Sequence, residues 1–167
     1  MKPVLLSPAF KDYLWGGERL KSFYECTSEI IAEAWLLSCH ENGESSVNGE
    51  PLSDFIKRNG DFEGADKILI KLIDAAADLS LQVHPDDLYA SYCGECGKTE
   101  CWYIIDCDED SEIVFGFNKK LQKEEVRSLI NKEDLLSVCR RINVRKGDVF
   151  LVEPGTVHSI GKGILLA

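Results

Sequence analysis

Leu79-Ser80-Leu81-Gln82-Val83-His84-Pro85-Asp86-Asp87 places polar side chains at alternate positions and stops at a proline. On an extended chain residues i and i+2 share a face, so Gln82 and His84 point one way and Leu81 and Val83 the other. Upstream, residues 68–74 form a second apolar stretch, and Ala75-Ala76-Ala77-Asp78 between the two reads as a short turn joining two strands. Downstream, residues 100–106 and 113–117 read as another pair, separated by an acidic turn at 107–111. Residues 149–153 follow the Lys146-Gly147-Asp148 turn as a further strand, and residues 164–166 begin one more. Helical spacing is confined to 123–131 (Val126, Leu129, Ile130), to 132–141 (Leu135, Leu136, Cys139), and to a short run at 53–58 that ends at Asn59-Gly60. Many short strands with a few peripheral α-helices predict a mainly β sandwich or jelly roll.

Two further stretches bear on chemistry. In Gly97-Lys98-Thr99-Glu100-Cys101-Trp102-Tyr103, Lys98 and Glu100 stand in the same i, i+2 relation. In Gly147-Asp148-Val149-Phe150-Leu151-Val152-Glu153-Pro154-Gly155-Thr156-Val157-His158, a strand and a Pro-Gly turn deliver a histidine. A jelly roll returns distant strands to one side of the barrel, so it can gather two imidazoles, a carboxylate and an amide oxygen around one cavity. That donor set suits zinc, and iron, manganese or cobalt could use it too. Glu100, beside Trp102 in an apolar strand, needs a partner for its charge, and a metal would supply one.

The bulk composition narrows the partners. A chain of 167 residues with formal charge −10 does not offer the basic surface that nucleic acid requires. No apolar run approaches the roughly 20 residues that span a bilayer, and residues 1–10 do not resemble a secretory signal. A cytoplasmic protein is expected, with no membrane partner. The seven cysteines, an odd number, fit reduced thiols better than a disulfide framework. Cys93-Gly94-Glu95-Cys96, with Cys101 and Cys107 nearby, offers a rival zinc knuckle. Against it, Cys101 and Cys107 fall in and just after a strand, where they share a face with Tyr103 and Ile105 as core residues would. His40 lies in a polar loop and is expected to be exposed, and Trp15 and Trp35 are expected in the core. The acidic run 106–112 is expected to be a solvated hairpin turn, since it lacks the glycine and terminal glutamate of an EF-hand.

The segments Gln82-Val83-His84-Pro85-Asp86-Asp87, Gly97-Lys98-Thr99-Glu100-Cys101-Trp102-Tyr103 and Pro154-Gly155-Thr156-Val157-His158-Ser159-Ile160-Gly161 resemble those of type I mannose-6-phosphate isomerases, the short bacterial form most closely. Leu14-Trp15-Gly16-Gly17 and Glu33-Ala34-Trp35-Leu36-Leu37-Ser38 resemble the same family, in the same order along the chain. The resemblance implies a cupin-type (RmlC-like) jelly roll holding one Zn2+ through Gln82, His84, Glu100 and His158. It implies an aldose–ketose isomerase acting on mannose 6-phosphate and fructose 6-phosphate through an enediol, with Lys98 as the base or as an electrostatic partner to the substrate. Family members continue past the 161–166 segment into further strands and a second cupin module, and an arginine regarded as catalytic lies beyond it. Residues 1–167 are therefore expected to be one metal-binding cupin domain, incomplete at its C-terminal side and without the second module. Two rivals stay open: an inactive metal- or sugar-phosphate-binding remnant, and an iron cupin dioxygenase using the same ligands. Oligomeric state is not legible in the sequence.

Overall fold

The computed structural model describes residues 3–24, 30–60, 62 and 64–167; Cys26 lies outside the described residues. The chain forms two compact units, Met1–Ala76 with Leu165–Ala167, and Ala77–Ile164.

The first unit contains β1 (Ala9–Lys11), β2 (Glu33–Leu37), the small hairpin β3 (Ser46–Val47) and β4 (Glu50–Pro51), α1 (Leu52–Asn59) and β5 (Ile70–Ala75). Strand β2 lies between β1 and β5, antiparallel to both. Its buried Glu33 accepts a hydrogen bond from Trp35 Nε1 at 2.6 Å and one from Lys71 Nζ at 3.1 Å, so the charge is paired where water is absent. Trp35 is a core residue, as the sequence predicts. His40 is exposed, also as predicted. Helix α1 stops where expected: Gly60 takes a left-handed φ of 68° and its N–H caps the Ile56 carbonyl at 2.9 Å. The predicted strand at 68–74 forms slightly later, as β5.

The second unit contains α2 (Asp87–Ser91), β6 (Glu100–Cys107), β7 (Glu112–Phe117), α3 (Lys123–Asn131), β8 (Cys139–Asn143), β9 (Val149–Val152) and β10 (His158–Ile160). A last strand, β11 (Ile164–Leu166), begins at its end. Strand β6 pairs with β9, while β7 lies between β10 and β8, all antiparallel. The predicted hairpin at 100–117 is therefore corrected: both strands form, but in different sheets. The acidic connection is solvated, as predicted, yet its backbone is tied elsewhere. Asp108 N–H donates to the Gly163 carbonyl at 2.8 Å, Ser111 Oγ to the Lys162 carbonyl at 3.0 Å, and Val144 N–H to the Ser111 carbonyl. A connection anchored to turns and loops far along the chain crosses between sheets instead of folding back.

Three more expectations change. Residues 79–84 are extended but form a bridge, not a strand of their own: Leu79 N–H bonds the Ile160 carbonyl, and Gln82 pairs with His158. Pro85 ends the run because it has no N–H to continue a ladder. The helix expected at 132–141 does not form. α3 is capped at Lys132, Glu133 takes φ 56°, one 3-10 turn covers Leu135–Val138, and the chain then enters β8 against β7. Positive φ on a non-glycine residue breaks helical continuation, and pairing with β7 overrides the local periodicity. In β6 the buried face is Trp102 and Ile104, with Glu100 beside them, whereas Cys101 and Tyr103 are exposed. The cysteine face is thus the outer one.

Glycine at 161 is required by close approach. Its N–H bonds the Glu112 carbonyl at 3.1 Å, and a Cβ at that position would overlap the same oxygen. Gly161→Ala is expected to cost about 1–3 kcal/mol by overpacking, a fall in Tm of roughly 3–10 °C for a chain of this size. An unchanged thermal midpoint would show that the backbone gives way freely there.

Candidate metal centre

Three stretches of the second unit are laced together by backbone bonds. Gln82 and His158 exchange N–H···O bonds of 2.8 and 2.9 Å, Gly155 N–H bonds the His84 carbonyl at 2.8 Å, and Lys98 N–H bonds the Pro85 carbonyl at 3.1 Å. The register of β6 on β9 sets Glu100 opposite Val152, six residues before His158. These constraints, not proximity in sequence, gather the side chains.

His84 Nε2 lies 3.3 Å from Glu100 Oε1, and His158 Nε2 lies 3.8 Å from Glu100 Oε2. The two imidazole centroids are 4.9 Å apart. Lys98 Nζ sits at the more exposed side, 2.5 Å from Glu100 Oε1 and 3.3 Å from His84 Nε2. Trp102 closes the buried side, its Nε1–H donating to Glu100 Oε2 at 3.1 Å and its ring meeting His158 edge-on at 5.5 Å. Gln82 is brought alongside through its backbone, while its side-chain amide donates to Ser80 Oγ at 3.3 Å.

The electrostatics favour a cation. Burial raises the Glu100 carboxyl pKa, but the hydrogen bond and charge of Lys98, with smaller contributions from both histidines, outweigh it and hold the group below its usual value. His84 is lowered, first by burial and then by the Lys98 charge, against an opposing pull from Glu100. Its imidazole is therefore neutral at neutral pH, the form that ligates metal. His158 is only 3% exposed. Its Nδ1 lies 2.8 Å from the Thr156 carbonyl, which fixes the proton on Nδ1 and turns the lone pair of Nε2 toward Glu100.

That Nε2 atom is buried without a hydrogen-bond partner. Buried polar atoms are almost always paired; an unpaired imidazole nitrogen facing a carboxylate and a second imidazole fits a cation. One ligand atom from each of His84, Glu100 and His158 lies within 4.8 Å of the others. Among the described residues this is the one His/Cys/Asp/Glu grouping of its kind; Cys93, Cys96, Cys101 and Cys107 do not assemble. The nitrogen and oxygen donors suit zinc or another first-row divalent ion. The Thr156 carbonyl and the Trp102 N–H, which orient two of the ligands, were not singled out from the sequence. The i, i+2 spacing of Glu100 with Trp102 and of Thr156 with His158 is the signal that could have found them.

A pH dependence follows for metal binding. The lowered His84 pKa means that protons compete for this ligand only below the ordinary imidazole value, about 6.5. Zinc affinity is expected to stay level from mildly alkaline pH down to that value and to fall as pH drops below it. Calorimetric titration across pH checks this; a loss of affinity with its midpoint above that value would contradict it.

The sequence model described as phosphomannose isomerase type I, catalytic domain, matches residues 4–118, a span that holds Gln82, His84, Lys98 and Glu100. The chain belongs to this family. It is 44% identical to mannose-6-phosphate isomerase ManA of Bacillus subtilis over 98% of its own length and 56% of that protein's. It is 42% identical to mannose-6-phosphate isomerase of Streptococcus mutans over 99% and 56%. Among solved structures, the mannose 6-phosphate isomerase from Bacillus subtilis superposes with TM-score 0.89 at 39% identity, covering 99% of this chain and 57% of that one. The apo form of the Salmonella typhimurium enzyme, at 15% identity and TM-score 0.70, shares the fold. The architecture is thus the mainly β, cupin-type jelly roll of the type I phosphomannose isomerases, with a few helices. His158 lies beyond the matched family segment but inside the span aligned with the longer relatives. The chain covers a little over half the length of those curated relatives. No helix among the described residues is long and apolar enough to cross a membrane.

Proposed function

We propose that this chain carries the metal site of a mannose-6-phosphate isomerase, interconverting mannose 6-phosphate and fructose 6-phosphate through an enediol. The observation that carries the reading is the trio His84, Glu100 and His158 around an unpaired buried nitrogen, with Lys98 in contact with two of the three. The relatives named for this activity supply the substrate.

His84, Glu100 and His158 would hold one Zn2+, with the Gln82 amide oxygen as a fourth donor once its amide turns from Ser80. When bound, the cation supplies Lewis-acid polarisation of the substrate's C1 and C2 oxygens. The protein supplies the proton movement. Aldose and ketose differ by a proton moved between C2 and C1 and another between their oxygens, and Lys98, in its neutral amine form, would accept the first from C2 and return it at C1. Removing the proton at C2 while O1 gains one gives the enediol; returning a proton to C1 while O2 loses one gives the ketose. Trp102 keeps water from the inner side and holds the Glu100 carboxylate in orientation. The donor set does not need a redox-active ion, and nothing in the geometry favours the dioxygenase reading over this one.

The test is a coupled assay for fructose 6-phosphate formed from mannose 6-phosphate by the zinc-loaded 167-residue chain. Turnover that is lost on chelation and restored by zinc is the expected result. Absence of turnover in a chain that binds zinc would overturn the isomerase assignment for this chain and favour a binding-only site.

A further inference from the structure

The metal site does not use the exposed pair Cys93 and Cys96, although the segment that carries them joins its two halves. Helix α2 starts from Asp86, whose Oδ1 accepts the Tyr89 N–H at 2.7 Å. It ends in a left-handed turn: Gly94 has φ 74°, Gly94 N–H bonds the Ser91 carbonyl, and Glu95 N–H reaches back to the Ala90 carbonyl. Cys93 follows the helix cap Tyr92, its N–H bonding the Ala90 carbonyl at 2.9 Å, and Cys96 comes just after the Gly94 turn. The next two residues are latched. Gly97 N–H bonds Asp87 Oδ1 at 2.9 Å, and Lys98 N–H bonds the Pro85 carbonyl at 3.1 Å. Gly97 is also pressed onto the helix start, where a Cβ would stand 2.5 Å from the Asp87 nitrogen and 2.6 Å from the Asp86 carbonyl carbon.

We propose that Cys93 and Cys96 form a reversible dithiol–disulfide site, a modification site whose closure unfastens the latch at Gly97 and Lys98. Both thiols are free and exposed, and they are three residues apart across a turn that already brings the chain back on itself. The co-reactant is a low-molecular-weight disulfide. One cysteine thiolate attacks a sulfur of that disulfide and expels one small thiol. The second thiolate attacks the resulting mixed disulfide and expels the other, leaving a Cys93–Cys96 bond, two reduced small thiols and an oxidised protein. Closing the bond draws Cys96 toward the helix end and so pulls Gly97 away from the helix start it is pressed against, opening its bond to Asp87 and the neighbouring Lys98 bond to Pro85. Cys101 is not part of the site, because it lies on the outer face of β6, opposite Leu151. The proposal does not depend on which reaction the metal site performs.

The experiment treats the full chain with glutathione disulfide, blocks remaining thiols with N-ethylmaleimide, and maps the peptides by mass spectrometry. The expected product is an unblocked 93–96 peptide lacking two hydrogens, restored by dithiothreitol, with Cys96→Ser instead trapping a glutathione adduct on Cys93. Amide hydrogen exchange at Gly97 and Lys98 is expected to be about fivefold faster in the oxidised protein, the loss of about one hydrogen bond's protection. Glutathione adducts alone in the unsubstituted protein, or a bond to Cys101, would overturn the site. A 93–96 bond with unchanged exchange at both amides would overturn the latch.

Discussion

Replacing His158 with alanine is expected to lower zinc affinity by about a hundredfold or more, measured by competition with a chromogenic chelator. Zinc held by four ligands in small proteins is worth roughly 10–16 kcal/mol, so one ligand carries about 3 kcal/mol, roughly two decades in Kd. His158 should show the full effect because its imidazole is buried and already held with its lone pair toward the cavity by the Thr156 carbonyl. Little of its binding energy goes to ordering the side chain. The same reasoning predicts a weaker loss for Gln82→Ala, since that amide is exposed and bonded to Ser80. Circular dichroism separates loss of a ligand from loss of fold. A folded His158→Ala protein that binds zinc as tightly as the parent would remove His158 from the ligand set.

Replacing Lys98 with methionine is expected to lower kcat for isomerisation by about 10²–10⁴, the range for a proton-transfer residue, while zinc affinity falls by no more than about tenfold, the low end for a residue that touches metal ligands. The asymmetry is the informative part. Lys98 touches Glu100 and His84, yet it is the more exposed of the three and has no lone pair to give a metal while protonated. Methionine keeps most of the aliphatic stem, so packing over the site survives. Equal losses of zinc affinity and turnover would make Lys98 a positioning residue for Glu100. Unchanged turnover would exclude it from the proton path.

How far the sequence carried each of these assignments depends on the kind of signal. His84, Lys98 and Glu100 stood out through i, i+2 spacing on extended chain and His158 through the Pro-Gly turn before it, while their roles as one site came from the family resemblance; the structure brings all four together. The outer ends of helices α1 and α3 were legible locally, through Gly60 and the spacing of Val126, Leu129 and Ile130. Pairing was not. Residues 100–107 and 112–117 look like a hairpin because they are adjacent strands, but their partners β9, β8 and β10 lie tens of residues away, and only backbone bonds such as Asp108 to Gly163 disclose the crossing. The second predicted helix failed at Glu133, where a positive φ that periodicity does not register ends α3. Which face of β6 is buried was misread from its cysteines. Strand alternation defines two faces, and only the packing of Trp102 and Ile104 decides which is inner.

X-ray absorption at the zinc edge of the zinc-loaded protein tests most directly whether two imidazoles and a carboxylate hold the metal. The expected spectrum has nitrogen and oxygen neighbours at about 2.0–2.2 Å, with the outer-shell scattering of two imidazole rings, and this signature is lost in His84→Ala and His158→Ala. A sulfur shell at about 2.3 Å would place the metal on the cysteines and contradict the site described here.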